Sequence, residues 1–231
     1  MRRQKINKPQ SYAQGEGEKI ILGVTGGLGS GKSTVSGFLK TFGAEVIDAD
    51  KLAHEAIAPG GKCYNKAIET FGAKILRRDK RIDRVKLGRI VFANKGYLKK
   101  LNNIIHPEVI KEIRARIKKS KSKVIVLDVP LLIESVPINL ADRLIVVKIK
   151  KGVQIKRVKM KTSLTKSDIV RRINSQIPLP VKARLADFVI DNNGTISQTR
   201  KQAKDIWKSI VQRRGSLGKE ELILLRPLID L

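Results

Sequence analysis

Cysteine is nearly absent from this chain. Its 231 residues hold one, Cys63, so no internal disulfide can form and no cysteine-rich zinc site can be built. That excludes a stapled secreted scaffold and suits a reducing compartment. Aromatic residues make up only 4% of the chain, which leaves few platforms for stacking the bases of a single strand. No apolar run reaches the ~18 residues of a membrane-spanning helix. The stretch Ile20-Ile21-Leu22-Gly23-Val24 is also too short to be the core of a signal peptide. The expected address is therefore the cytoplasm, with no membrane partner. Acids are few as well: 21 Asp and Glu stand against 49 Lys and Arg, a formal net charge of +28. Such an excess draws anions. The basic residues are spread along the whole chain, however, and no helix-turn-helix, zinc or single-strand signature accompanies them, so nucleic acid is not the expected partner.

Hydrophobic residues make up 41% of the chain, enough for a sizeable core, and the length fits one domain. Residues 1–18 read as a flexible leader, 19–212 as the domain, and 213–231 as a C-terminal extension. Short apolar runs at Lys19–Thr25, Glu45–Asp48, Lys123–Val129, Arg143–Ile149 and Phe188–Ile190 read as strands. Helical patterns lie between them, at Lys32–Thr41, Ala49–Ala58, Lys62–Phe71, Val85–Phe92, Glu108–Lys118, Gln154–Met160, Lys166–Ile173 and Ser197–Val211. A further helix over Leu98–Ile105 is expected to stop before Pro107, with His106 as the stop residue. Strands alternating with helices imply a parallel sheet covered on both faces.

The segment Gly26-Gly27-Leu28-Gly29-Ser30-Gly31-Lys32-Ser33 fits the phosphate-binding pattern G-x-x-x-x-G-K-[ST]. A loop that wraps a triphosphate must aim successive backbone N–H groups inward, and glycine permits both the approach and positive φ. The helix that follows offers its positive end to the anion. Lys32 is placed for the β- and γ-phosphates, and the Ser33 hydroxyl for Mg²⁺. The fold class is thus α/β, a P-loop NTPase three-layer arrangement with a parallel sheet.

Asp48-Ala49-Asp50 leaves the end of the second strand, at the sheet edge where ligands sit in open α/β folds. An alcohol must lose a proton as it attacks phosphorus, and a carboxylate can take it. A phosphate acceptor calls for arginines instead. Two acids here favour an alcohol, with Asp50 as base, and one of the pair can equally be the N-cap of the next helix. Asp128 ends the apolar run Val124-Ile125-Val126-Leu127. It reads as a carboxylate that holds Mg²⁺ through a water, or as an acid that ends a strand and caps a turn.

The phosphate loop with Thr34, Val46-Ile47-Asp48-Ala49-Asp50, His106-Pro107, Val129-Pro130-Leu131-Leu132-Ile133-Glu134 and Ala186-Asp187-Phe188-Val189-Ile190-Asp191-Asn192-Asn193-Gly194 follow one another in that order. In this the sequence resembles the dephospho-coenzyme A kinases, over about residues 19–212. The resemblance implies ATP-dependent phosphorylation of the ribose 3′-hydroxyl of dephospho-CoA, giving CoA and ADP, the last step of CoA synthesis. It implies that Gly29, Ser30, Gly31, Lys32, Ser33 and Thr34 bind ATP, with Asn192 near the adenine. Asp50 would be the catalytic base, Arg157 a lid arginine over the phosphates, and His106 part of the acceptor pocket. The resemblance also adds helical acceptor-binding and lid segments to the fold, the lid spanning about 152–180. Residue by residue, simpler readings stand beside these. Arg157 sits in a run of basic residues that also suits a solvated helix face, and Asn192-Asn193-Gly194 is a good turn on local grounds. A second lid arginine is common in the family four residues on. Here that position is Lys161, with Arg171 and Arg172 nearby in sequence. A kinase for another alcohol or nucleotide acceptor is the alternative reading.

Overall fold

The computed structural model describes residues 19–129, 140–162 and 164–216, with backbone alone for 213–216. The expected leader, the tail from 217 and the block Pro130-Leu131-Leu132-Ile133-Glu134 lie outside the described residues. In chain order the elements are β1 (Ile20–Gly26), α1 (Lys32–Thr41), β2 (Glu45–Asp48), α2 (Ala49–Ala56), α3 (Tyr64–Phe71), a 3₁₀ turn (Ala73–Ile75), α4 (Arg84–Ala93) and α5 (Lys95–Lys119). There follow β3 (Val124–Asp128), β4 (Arg143–Lys148), α6 (Lys151–Lys161), α7 (Lys166–Asn174), α8 (Leu179–Arg184), β5 (Phe188–Asp191) and α9 (Ile196–Ser216).

The strands form one parallel sheet in the order β2-β3-β1-β4-β5. Alternation along each strand feeds two separate cores. Leu22, Val24, Val124, Val126, Ile145, Val147 and Ile190 face α1 and α9, where Val35, Leu39, Ala203 and Ile210 close the layer. Ile21, Ile47, Ile125, Leu127, Leu144 and Val146 face the other way, against Ala49 and Leu52 of α2 and Val109 and Ile113 of α5. Burial on both faces explains why the strands read as continuous apolar runs rather than alternating ones. β1 is central, and the chain leaves it at the point where the connections diverge to either side. The crevice at its carboxyl end is therefore the expected ligand position.

A third core lies off the sheet. Ile57, Cys63, Ala67, Phe71, Ile75, Ile82, Leu87, Val91 and Ile104 pack together from α3, α4, the 3₁₀ turn and the first half of α5. This helical lobe stands beside the carboxyl end of β2. Cys63 is one of its packing residues. Its thiol donates to the Ile104 carbonyl at 3.3 Å, and burial pushes its pKa up, away from the reactive thiolate.

Two features differ from the sequence expectation. The helices expected on either side of Pro107 are one, α5, so His106 is not a helix stop. Pro107 and Asn103, whose carbonyl the missing N–H would have served, are both exposed. Water can satisfy that carbonyl, while Ile104, Val109 and Ile113 anchor the helix on its buried side. The second difference is α8, which the prolines around it hid. Pro178 occupies its N-cap and Pro180 its first turn, where no intrahelical donor is lost.

Because its ring is exposed, Pro107 costs α5 a hydrogen bond without filling the core. Pro107→Ala is expected to raise stability by about 1 kcal/mol, less than the ~3 kcal/mol typical of a helix-interior proline. Urea denaturation read by circular dichroism measures the difference; a less stable variant would contradict this account of the helix.

Candidate active site

The phosphate loop joins β1 to α1 at the sheet's carboxyl edge. Gly31 is the N-cap of α1 with φ +94°, and Gly29 has φ +70°. Both values lie in the left-handed region that side chains disfavour. The loop is also packed from outside. A Cβ on Gly29 would overlap Val158 of α6, and one on Gly31 would overlap the Asn192 amide. A Cβ on Gly27 would stand 2.7 Å from the Gln154 amide nitrogen. The glycines therefore answer two demands, concave amides within and close neighbours without. The first-turn amides of α1, those of Lys32 and Ser33 among them, have no carbonyl one turn earlier in the helix, which makes this end an anion seat.

Lys32 reaches across to Asp128 at the end of β3, with Nζ 3.0 Å from Oδ1. The pair is well shielded, the two side chains keeping 12% and 6% of their exposure, so its attraction is little screened. Asp128 thus ends its strand in an ion pair with the loop lysine. Asp48 stands opposite it in the β2–β3 register and caps α2, accepting from the Lys51 N–H at 3.0 Å. That resolves which acid of the pair is the cap, and it leaves Asp50 one step into the first turn of α2. The Asp50 carboxylate is open to the cleft yet hemmed in by protein. This burial raises its pKa above the ordinary carboxylate range, against the pull of Lys32 and with help from Asp48 and Asp128.

The other expected residues fall at different distances from this cluster. The Arg157 guanidinium, on α6, comes within 3.9 Å of where a Gly31 side chain would begin, so it overhangs the loop. Asn192, expected at the adenine, is buried, and its amide is engaged by protein: Nδ2 donates to the Ser30 carbonyl at 2.7 Å, and Oδ1 accepts from the Thr199 hydroxyl at 2.8 Å. It braces the loop from below. Ser33 is exposed in the first turn of α1 and Thr34 half-buried beside it. His106 is half-buried midway along α5, and burial lowers its pKa. Lys161 is exposed at the end of α6. Arg171 is paired with Asp168 at 3.5 Å, and Arg172 lies over the Phe92 ring at 5.7 Å.

Sequence reasoning missed His54 and Arg84. His54 follows Asp50 by one helical turn on α2, and Arg84 Nη1 lies 2.9 Å from its ring nitrogens. Burial and then the Arg84 charge lower the His54 pKa, which favours the neutral ring. Both line an open cavity of about 460 Å³ with Ile57, Ala58, Pro59, Arg81 and Ile82, between α2 and the helical lobe. The i, i+4 spacing of Asp50 and His54 was the available signal. Arg84, thirty residues further on, had none, because only the lobe's packing brings it back.

The dephospho-CoA kinase family model matches residues 20–198. A dephospho-CoA kinase of Carboxydothermus hydrogenoformans is 47% identical over 194 residues, covering 81% of this chain and 94% of that protein. Among solved structures, TT1252 from Thermus thermophilus superposes with a TM-score of 0.75 at 27% identity. A dephospho-CoA kinase from Campylobacter jejuni does so with 0.62 at 30%; in both cases 84% of this chain and 98% of the other are covered.

Asn192→Leu would leave the buried Ser30 carbonyl without its partner and the Thr199 hydroxyl with the Thr195 carbonyl at 3.2 Å as its acceptor. The expected loss is about 1–3 kcal/mol, for the orphaned carbonyl. It is measured by urea denaturation with Thr199→Val as the companion variant. A stability unchanged by Asn192→Leu would contradict the bracing role.

Proposed function

Because the chain belongs to the dephospho-CoA kinase family, we propose that the cluster at the carboxyl end of β1 transfers the γ-phosphoryl of ATP to the ribose 3′-hydroxyl of dephospho-CoA. The observation that carries this reading is the position of Asp50. It stands in the first turn of α2, one turn before His54, which lines the cavity beside the helical lobe, and it feels the charges of Lys32 and Asp128 at the phosphate loop.

ATP enters with its phosphates against the main chain of residues 29–34. Lys32 holds the β- and γ-phosphates, exchanging its contact with Asp128 for them, and Arg157 covers them from α6. Mg²⁺ fits the donors present. No group of three or more acidic, histidine or cysteine side chains forms a cage among the described residues. An exposed serine hydroxyl and a carboxylate are instead the sparse, hard oxygen set on which Mg²⁺ keeps its waters and phosphates. Ser33 would hold it directly and Asp128 through a water; when bound, it neutralises charge on the β- and γ-phosphates.

Dephospho-CoA takes the cavity beside the lobe, where Arg81 and Arg84 meet its anionic groups and Ile57, Pro59 and Ile82 its apolar ones. His106 stands on α5 as part of the same lobe. Asp50 accepts the proton of the 3′-hydroxyl as its oxygen bonds to the γ-phosphorus. The bond to the β-phosphate oxygen breaks, and ADP leaves. Arg157 and Lys32 meet the charge that spreads over the transferring group. Closure of the lid over 152–180 excludes water, so transfer outcompetes hydrolysis. The surplus of positive charge favours encounter with two polyanionic substrates.

The reading is tested by following ADP release and product mass with ATP and dephospho-CoA. Consumption of ATP that does not depend on dephospho-CoA would overturn it. Asp50→Asn is expected to lower kcat by about 10²–10⁴-fold with ATP affinity kept, the range for general-base assistance. Asp50 works ionised, and its pKa is raised. Activity is therefore expected to fall on acidification at a pH above the ~3.9 of an ordinary aspartate, and Asp50→Asn should remove that acid limb from the kcat/KM profile.

A further inference from the structure

The main chain of Leu28, at the tip of the phosphate loop, is gripped on both its N–H and its carbonyl, which belong to successive peptide groups, by lid residues. Its N–H donates to Gln176 Oε1 at 3.0 Å, and its carbonyl accepts from Gln154 Nε2 at 2.6 Å. Gln154 is on α6 and only 2% exposed; Gln176 is half-buried between α7 and α8. Neither was singled out by the sequence pattern. A buried amide on the inner face of a helix is costly unless its hydrogen bonds are made, and an apolar side chain would pack there more simply. The absent side chain of Gly27 leaves the space through which Gln154 reaches the loop. The polarity of the main chain also fixes each amide: an N–H can only donate and a carbonyl only accept. The two glutamines are therefore not interchangeable. One must present oxygen and the other nitrogen.

The same lid touches the helical lobe. Arg172, on α7 just before Gln176, lies over the Phe92 ring of α4 at 5.7 Å, although Phe92 is 62% exposed. One short segment thus contacts the lobe beside the cavity with Arg172 and the phosphate loop with Gln176. We propose that Gln154 and Gln176 are positioning residues that clamp the two peptide groups flanking the Leu28 Cα, so that the lid sets the loop's geometry for phosphoryl transfer. The lid cannot shift relative to the loop without breaking or carrying these two bonds. Phosphoryl transfer tolerates little misplacement, because its catalysis is mostly positioning and electrostatics. The clamp acts through the loop and touches no reacting atom. The inference rests on the kinase reading above.

The test is a set of charge-matched and apolar variants assayed with ATP and dephospho-CoA. Gln176→Glu keeps an acceptor for the Leu28 N–H. Gln154→Glu adds the same charge at the same residue but loses the donor to the Leu28 carbonyl. The expected result is a kcat at least tenfold lower for Gln154→Glu than for Gln176→Glu. Gln176→Leu should lose at least tenfold in kcat with the KM for dephospho-CoA within twofold of native. It should also show a higher ratio of acceptor-free ATP hydrolysis to transfer. Equal kcat for the two Glu variants, or a Gln176→Leu enzyme with native kcat and native hydrolysis ratio, would overturn the clamp. Should Gln154→Glu fail to fold, the comparison of Gln176→Leu with Gln176→Glu decides alone, since that position is half-buried on a loop and the conservative variant must rescue. A native chain without acceptor-dependent turnover would instead overturn the kinase reading, which keeps the two failures apart.

Discussion

A loop of main-chain amides can wrap a triphosphate only if something holds its outer side. Amides turned inward leave carbonyls and bare glycines turned outward, and those need neighbours of their own. Here Val158 and Gln154 of α6 fill the space outside Gly29 and Gly27, Asn192 fills the space outside Gly31, and its amide binds the Ser30 carbonyl. The remaining parts follow from that support. Lys32 can cross to Asp128 because the loop is held at the sheet's edge, and Asp50 faces the loop because Asp48 starts α2 beside it.

The electrostatic balance of the cleft is set by alternating charge. Lys32 lies between acids, Asp50 lies among Lys32, Asp48 and Asp128, and His54 is held towards its neutral form by burial and Arg84. A carboxylate that is to take a proton gains basicity when its ionised form is made less comfortable, and burial does this at Asp50. Lys32 is held against the Asp128 carboxylate rather than in solvent.

Much of this was legible in one dimension. The five strands and most helices stood out because apolar runs with a fixed period need no partner to be recognised, and the phosphate loop because its glycines, lysine and serine are contiguous. The reading went astray at Pro107, where local chemistry predicts a stop but α5 continues, since the exposed Asn103 carbonyl can turn to water while Ile104 and Ile113 stay anchored. It offered Asn192 as a nucleotide contact and could not see that the fold commits both ends of its side-chain amide to protein. It passed over Gln154, whose chemistry is ordinary until the loop is placed against it.

What the chain alone determined is everything carried by neighbours in sequence. That covers the α/β class, the anion-binding turn, the acid at the end of the second strand, and the likeness to a kinase family carried by several motifs in order. What the tertiary structure decided is everything carried by neighbours in space. It chose Asp48 as cap and left Asp50 for the cleft, brought Arg84 back to His54 across thirty residues, built a third core beside the sheet, and set two glutamines on the N–H and the carbonyl of Leu28. The physical reason is the range of the forces involved. Backbone propensity and hydrophobic period act over a few residues along the chain, whereas hydrogen bonds, ion pairs and burial act over a few ångströms through space, and only the folded chain says which residues those ångströms join.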